Sequence, residues 1–118
     1  EVPTHRQAIS SIAHLLESLR GADAKRTFLE EQLAKNPLNY LLTIDYLVEL
    51  RDDRPQQSIK LEEALQRFPD HTWFQREAAI CANILKAYSK AREHIETSTE
   101  IEPNNALNYE IAASIDGR

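Results

Sequence analysis

The chain has 118 residues, of which 42% are hydrophobic and only two are glycine, and its formal net charge is −5. This length suits one domain with a modest core, and so few glycines favour packed helices over strands joined by tight turns. The negative charge argues against a nucleic-acid surface, which requires a basic stripe, and no run of about 18 apolar residues is present that would insert this segment into a membrane.

Two helices are predicted at the start of the chain. Thr4 and Gln7 form a capping box, which predicts that the first helix begins there. Gly21 ends this helix, and the second is expected over residues 23–35, because Pro37 forbids its continuation. Helical spacing predicts a buried stripe in each helix: Ile9, Ile12, Ala13, Leu16 and Leu19 in the first, and Phe28, Leu29 and Leu33 in the second.

The third and fourth helices are predicted on either side of a polar break at residues 51–54. Asn39 can cap the third helix, which runs from Tyr40 to about Leu50 and is apolar nearly all round. Pro55 fits the first turn of the fourth helix. The inward positions of that helix are Ile59, Leu61, Ala64, Leu65 and Phe68.

Residues 70–103 contain two further helix-length segments, and a seventh helix follows, capped by Asn105. The fifth helix carries small residues where a neighbouring helix must come close: Ala78, Ala79 and Ala82. The sixth carries an inward stripe of Ala91, Ile95, Ser98 and Ile101. The single cysteine, Cys81, lies among small apolar residues and is expected to be a buried packing residue.

The predicted helix pairs repeat along the chain at the same spacing as four of its prolines. Pro3, Pro37, Pro69 and Pro103 are spaced by 34, 32 and 34 residues, and a helix–turn–helix period of about 34 residues is the signature of the tetratricopeptide repeat. The chain resembles this family over nearly its whole length. Tyr88 and Ala91 match the family's start of a second helix, and residues 101–105 (Ile-Glu-Pro-Asn-Asn) match its closing turn, whereas Lys86 stands where the family has glycine.

The resemblance implies an all-α, right-handed α-solenoid of seven helices. The repeats would cover residues 4–37, 38–69 and 70–103, with a half repeat at 104–118. Because the chain has no methionine and starts on what resembles the closing proline of an earlier repeat, we expect a segment of a longer solenoid. The exposed ends of such a segment predict weak self-association, in particular through Tyr109, Ala112 and Ala113.

No constellation of residues predicts an enzyme, a cofactor or a metal ion. The four histidines show no zinc or di-iron motif, and no second cysteine is present. Ser10 and His14 lie one helical turn apart, but a serine in the middle of a helix lacks oxyanion donors. The paired glutamates at 30–31 and 62–63 lie on polar helix faces, so solvated surface charge is the better interpretation.

In the family the first helix of each repeat lines a concave groove that binds a protein segment. The matching positions in the middle of this chain are apolar with a few charges, a composition that suits an amphipathic or extended peptide. The predicted partner-binding residues are Leu41, Ile44, Asp45, Val48, Trp73, Arg76, Glu77, Ile80 and Ile111. The alternative that Leu41, Trp73 and Leu107 only pack between repeats stays open. The family's clamp for a C-terminal carboxylate is not formed, because Ser10, His14, Asp45, Trp73 and Glu77 occupy its positions.

Within the family, the degenerate repeats resemble the periplasmic scaffold of bacterial outer-membrane exporters of exopolysaccharide of the Pel type. The resemblance implies a non-catalytic scaffold in the periplasm that recruits polymer-modifying enzymes to the export pore and thereby serves biofilm formation. The alternative is a cytosolic adaptor or assembly factor that is unrelated to secretion.

Overall fold

The computed structural model describes residues 5–116, and they form seven α-helices and no strand. A 3₁₀ turn, Leu50–Asp52, follows the third helix. The all-α class and the helices predicted from the sequence are thereby confirmed. The helices are α1 (His5–Arg20), α2 (Ala22–Lys35), α3 (Tyr40–Glu49), α4 (Arg54–Arg67), α5 (Thr72–Ile84), α6 (Tyr88–Ile101) and α7 (Ala106–Asp116).

Local hydrogen bonds set several helix starts as the sequence predicts. The side-chain oxygen of Asn39 accepts the Leu42 N–H at 3.1 Å, and that of Asn105 accepts the Leu107 N–H at 3.0 Å. Each bond satisfies one of the N–H groups that a helix leaves unpaired in its first turn. Thr4, the predicted cap of α1, lies outside the described residues.

Gly21 and Pro55 also occupy the positions predicted for them. Gly21 separates α1 from α2 with φ at 94°, a left-handed conformation that glycine adopts without the steric cost of a Cβ. Pro55 lies in the first turn of α4, where its missing N–H is not needed. Asp53 caps this helix by accepting the Gln56 N–H at 3.3 Å.

A Schellman motif ends α5. The Ala87 N–H donates to the Ala82 carbonyl at 2.8 Å, and the Lys86 N–H donates to the Asn83 carbonyl at 3.1 Å. Lys86 takes the left-handed conformation at the centre of this motif, with φ at 65°. A residue with a side chain is disfavoured there, and glycine is the usual occupant.

We expect Lys86→Gly to raise the free energy of unfolding by about 0.5–1 kcal/mol. Glycine removes the steric strain of a side chain at positive φ, and this gain exceeds the cost of giving the unfolded chain more conformational freedom. Urea denaturation would measure the change. The matched control, Lys60→Gly inside α4, should instead lower stability by about 1 kcal/mol. A destabilised Lys86→Gly protein would contradict the motif.

The described residues divide into two compact units, with the boundary between Glu49 and Leu50. In the first unit, α1 packs on α2 and α2 packs on α3. The buried apolar side chains of this unit are Ile9, Ala13, Leu29, Leu42, Tyr46 and Leu47. The predicted burial of Ile12 and Leu19 in the α1 stripe is wrong, since these side chains are 46% and 71% exposed. The buried face of α1 carries Ile9 and Ala13, which lie one helical turn apart. Ile12 and Leu19 lie on the neighbouring face of the helix, which is exposed to solvent.

In the second unit, α5 packs against α4, α6 and α7, and α6 also packs on α7. Close approach of α5 and α6 depends on small side chains, and the predicted burial of Ala78, Ala79, Ala82, Ala91, Ile95 and Ser98 is confirmed. The hydroxyl of Ser98 donates to the side-chain oxygen of Asn108 at 2.6 Å, so this buried pair is satisfied across α6 and α7. Ile59 and Ile101, predicted to face inward, are exposed.

Candidate functional site

An open cavity of about 150 Å³ lies within the first unit, between α1, α2 and α3. Two predicted binding residues, Asp45 and Val48, line it, and Val48 is partly exposed there. Leu41 and Ile44 lie on the same helix but outside the cavity, exposed and half-buried respectively. The full lining consists of Ser10, Ala13, His14, Lys25, Leu29, Asp45, Val48 and Glu49.

The charges of this cavity are paired. Asp45 accepts two hydrogen bonds from the guanidinium of Arg6, at 2.7 and 2.9 Å. Lys25 is buried, and its ammonium lies 2.5 Å from the Glu49 carboxylate and 3.7 Å from that of Glu17. Burial of this lysine could not be predicted from the sequence, because α2 has only a weak apolar pattern and an isolated lysine is normally exposed.

A second open cavity, of about 340 Å³, lies between α5 and α7 in the second unit. We call it the α5–α7 groove, and it is lined by Ile80, Asn83, Ile84, Glu110, Ile111, Ser114 and Ile115. The predicted binding residues Ile80 and Ile111 lie on its two walls. Ile115 is fully buried and belongs to the core cluster of the unit, so the apolar surface of the groove is continuous with the core.

Ile84 is an exposed apolar residue of the groove that was not predicted from the sequence. Its side chain is 52% exposed, and it follows Ile80 by one helical turn. That spacing was the available signal, since residues four apart share a helix face. Glu110 is the only charged residue of the lining, and in the described part of the chain no cation pairs with it.

Two other predicted groove residues are engaged within the second unit. The ring of Trp73 packs edge-on against Phe74, with the centroids 5.4 Å apart. The Arg76 guanidinium donates to the Glu102 carboxylate at 2.9 Å. Hydrogen bonds from the Thr72, Arg76 and Asn105 side chains, in that order of size, hold the pKa of Glu102 below its usual value. Neither residue lines the α5–α7 groove.

Glu77 corrects the sequence analysis, which placed it among the groove-facing charges. Its side chain is only 4% exposed. The carboxylate accepts two hydrogen bonds from Arg51, both at 2.9 Å, and one from Gln57 at 2.8 Å, and Arg54 lies 3.4 Å away. Burial raises the pKa of Glu77, but these hydrogen bonds and the two guanidinium charges outweigh burial and lower the pKa overall. Glu77 therefore stays ionised inside a network that joins α5 to α4 and to the 3₁₀ turn.

The remaining reactive groups are engaged in packing. Cys81 is buried as predicted, its thiol donates to the Arg54 carbonyl at 3.3 Å, and burial raises its pKa. The Nδ1 atom of His94 lies 2.9 Å from the Oε1 atom of Gln75. Burial lowers the pKa of His94. Across residues 5–116, no cluster of three or more metal-ligating side chains occurs, and no helix combines the length and apolar character needed to cross a membrane.

The last described helix leaves one face open. Tyr109 is exposed, although its hydroxyl donates to the Pro103 carbonyl, and Ala113 beside it on α7 is exposed as well. These are residues of the face for which self-association is expected, and that association stays a prediction.

No protein-family model matches the sequence, and a search of the curated proteins finds no match. The resemblance to tetratricopeptide repeats therefore rests on the spacing of the prolines and on the residues that match the family's pattern.

Proposed function

We propose that this chain is a non-catalytic scaffold that binds a partner protein along the first helices of tetratricopeptide-type repeats. The observation that carries the proposal is the α5–α7 groove, where Ile80, Ile84 and Ile111 form an apolar surface open to solvent. Apolar surface that is continuous with a core and left open is typical of an interaction site. The groove volume of about 340 Å³ falls at the small end of the range of about 300–1,000 Å³ found for binding pockets.

The packing within each unit supports the repeat architecture. Each helix packs on the next within its unit, and α5 also packs on α7, two helices further along. This pattern of contacts is expected when helical hairpins stack in a right-handed solenoid. In that arrangement α1, α3, α5 and α7 are the first helices of successive repeats, and both cavities that contain predicted binding residues lie along them.

The lining of the groove suits binding rather than catalysis. Acid–base and nucleophilic catalysis require several polar groups converging on one point. The α5–α7 groove instead presents four isoleucines with one carboxylate, Glu110, and two neutral polar residues, Asn83 and Ser114. We propose further that the scaffold serves a Pel-type exopolysaccharide export complex in the periplasm and recruits polymer-modifying enzymes, a role that rests on the overall resemblance of the repeats.

Replacing Val48 and Ile80 with aspartate in the full-length protein should weaken partner capture by about tenfold or more, because binding energy concentrates in a few apolar anchors. Capture would be measured by affinity purification and mass spectrometry, and far-UV circular dichroism should show that helicity is kept. Ile84→Asp provides a second test, since Ile84 is more than half exposed and its replacement disturbs the fold less.

The matched control changes the other helices. Glu63 on α4 and Glu96 on α6 are both exposed, and their replacement by lysine should leave capture unchanged. Loss of capture in this control with full capture by the aspartate variants would place the binding surface on the second helices. If neither pair of changes has an effect, the segment is a spacer and the proposed function is wrong.

A further inference from the structure

We infer that the α5–α7 groove accepts a cationic, apolar segment of the partner protein, in which an aliphatic side chain lies next to a lysine or arginine. The inference rests on the proposed function and names the chemistry of the partner. It depends on two features of the groove: its isoleucine walls, and the single carboxylate beside them.

The walls of the groove select an aliphatic side chain. Ile80 and Ile84 form the α5 side, Ile111 forms the α7 side, and the buried Ile115 lies at the junction with the core. No aromatic ring lines the groove, so the stacking that favours aromatic or sugar ligands is absent from its lining. Burial of an aliphatic side chain against these isoleucines removes apolar surface from water on both partners, which is the favourable term for docking.

Glu110 adds the charge preference. It is exposed on α7 at the groove, and no cation pairs with it among residues 5–116. Two cations of this unit are engaged elsewhere: Arg76 of α5 binds Glu102, and Arg92 of α6 binds Asp116 at 2.7 Å. The carboxylate of Glu110 is therefore open to a cation supplied by a ligand.

The cavity of the first unit shows the contrast. Both of its carboxylates are already paired, Asp45 with Arg6 and Glu49 with Lys25, so a ligand cation would have to displace an internal partner. At the α5–α7 groove no such exchange is needed. The net charge of −5 also draws cationic segments toward the protein and repels acidic ones.

The test uses two synthetic helical peptides that share the same leucine spacing. One carries lysines beside the leucines, and the other carries glutamates at those positions. Binding to the full chain would be followed by NMR of isoleucine methyl groups. The lysine peptide should shift Ile80, Ile84 and Ile111 while leaving the exposed Ile59 of α4 unchanged, and the glutamate peptide should bind at least about fivefold more weakly.

Variants of Glu110 separate charge selection from apolar docking. Glu110→Gln should weaken binding of the lysine peptide by about three- to fivefold and reduce the salt dependence of binding, and Glu110→Lys should reverse the preference between the peptides. Glu96→Gln on α6 is the control and should change neither affinity.

Two outcomes would overturn the inference. If the lysine peptide shifts the groove methyl groups equally in the wild type and in Glu110→Lys, the groove binds apolar segments without charge selection, and the proposed function stands without the inference. If neither peptide shifts these methyl groups while partner capture still depends on Ile80, the partner chemistry inferred for the groove is wrong. Failure of the proposed function shows separately, as partner capture that ignores the aspartate replacements.

Discussion

Replacing Glu77 with alanine should lower the free energy of unfolding by about 3 kcal/mol. The loss arises from the partners left behind. Gln57 is fully buried, and the side chain of Arg54 is only 18% exposed, so both would lose an acceptor that water cannot easily replace. Arg51 is 47% exposed and can turn toward solvent, which limits the cost. Urea denaturation of wild type and variant would give the difference.

Two comparisons separate the charge from the shape of Glu77. Glu77→Gln keeps the side-chain volume but removes the charge that Arg51 and Arg54 bind, so its cost should lie between zero and that of the alanine variant. A double-mutant cycle with Arg51→Ala would then isolate the Arg51–Glu77 pair. Glu63→Ala, on the exposed face of α4, should change stability by less than about 0.5 kcal/mol. A similarly small effect at Glu77 would contradict its burial in the network.

The Glu77 carboxylate should also make the stability of the protein depend on pH. The pKa of Glu77 is lowered in the folded protein from an ordinary value of 4.5, so the folded state holds the proton less tightly than the unfolded chain does. Its contribution is therefore fully present above pH 4.5 and is lost as the pH falls through the lower, folded-state pKa. Glu77→Gln should remove this part of the acid dependence, because glutamine does not titrate.

Burial of Glu77 also shows where sequence reasoning ends. The positions of Asn39, Gly21 and Pro55 were predictable, since a cap, a left-handed turn and a first-turn proline each depend on residues within one helical turn. The network around Glu77 was not, because Arg51 lies 26 residues away in the sequence and its pairing is set by the packing of α4 on α5. A charge read from the sequence alone is assigned to the surface by default.

The residues of the candidate site were likewise predictable only in part. The resemblance to tetratricopeptide repeats implied that Ile80 and Ile111 are groove residues, and both line the α5–α7 groove. Register does not tell which row of an apolar helix is covered, and so Ile12 was expected in the core but is exposed. The lack of a cation paired with Glu110 among residues 5–116 was likewise not predictable, since the partners of Arg76 and Arg92 are set by the fold.

Ala79→Leu should lower the free energy of unfolding by about 1–3 kcal/mol, because the added side chain has no space at the crossing of α5 and α6. Ala79 is fully buried in a cluster with Ala82, Ala91, Ile95 and Ile115. A leucine there must push α6 or α7 away from α5 or adopt a strained rotamer, since packed interiors leave few voids. Thermal melting would detect the loss as a lower midpoint.

The control is Ala113→Leu, which adds the same atoms at an exposed position of α7 and should leave the midpoint nearly unchanged. The Ala79 variant also tests whether the core and the groove are mechanically linked. Because Ile115 belongs to both, displacement of α7 should shift the methyl signals of Ile111 and Ile115 and weaken capture of the partner. If both the melting midpoint and the methyl signals are unchanged, α5 and α6 do not cross at Ala79. In that case α5 is not the helix that contributes to both the core and the groove.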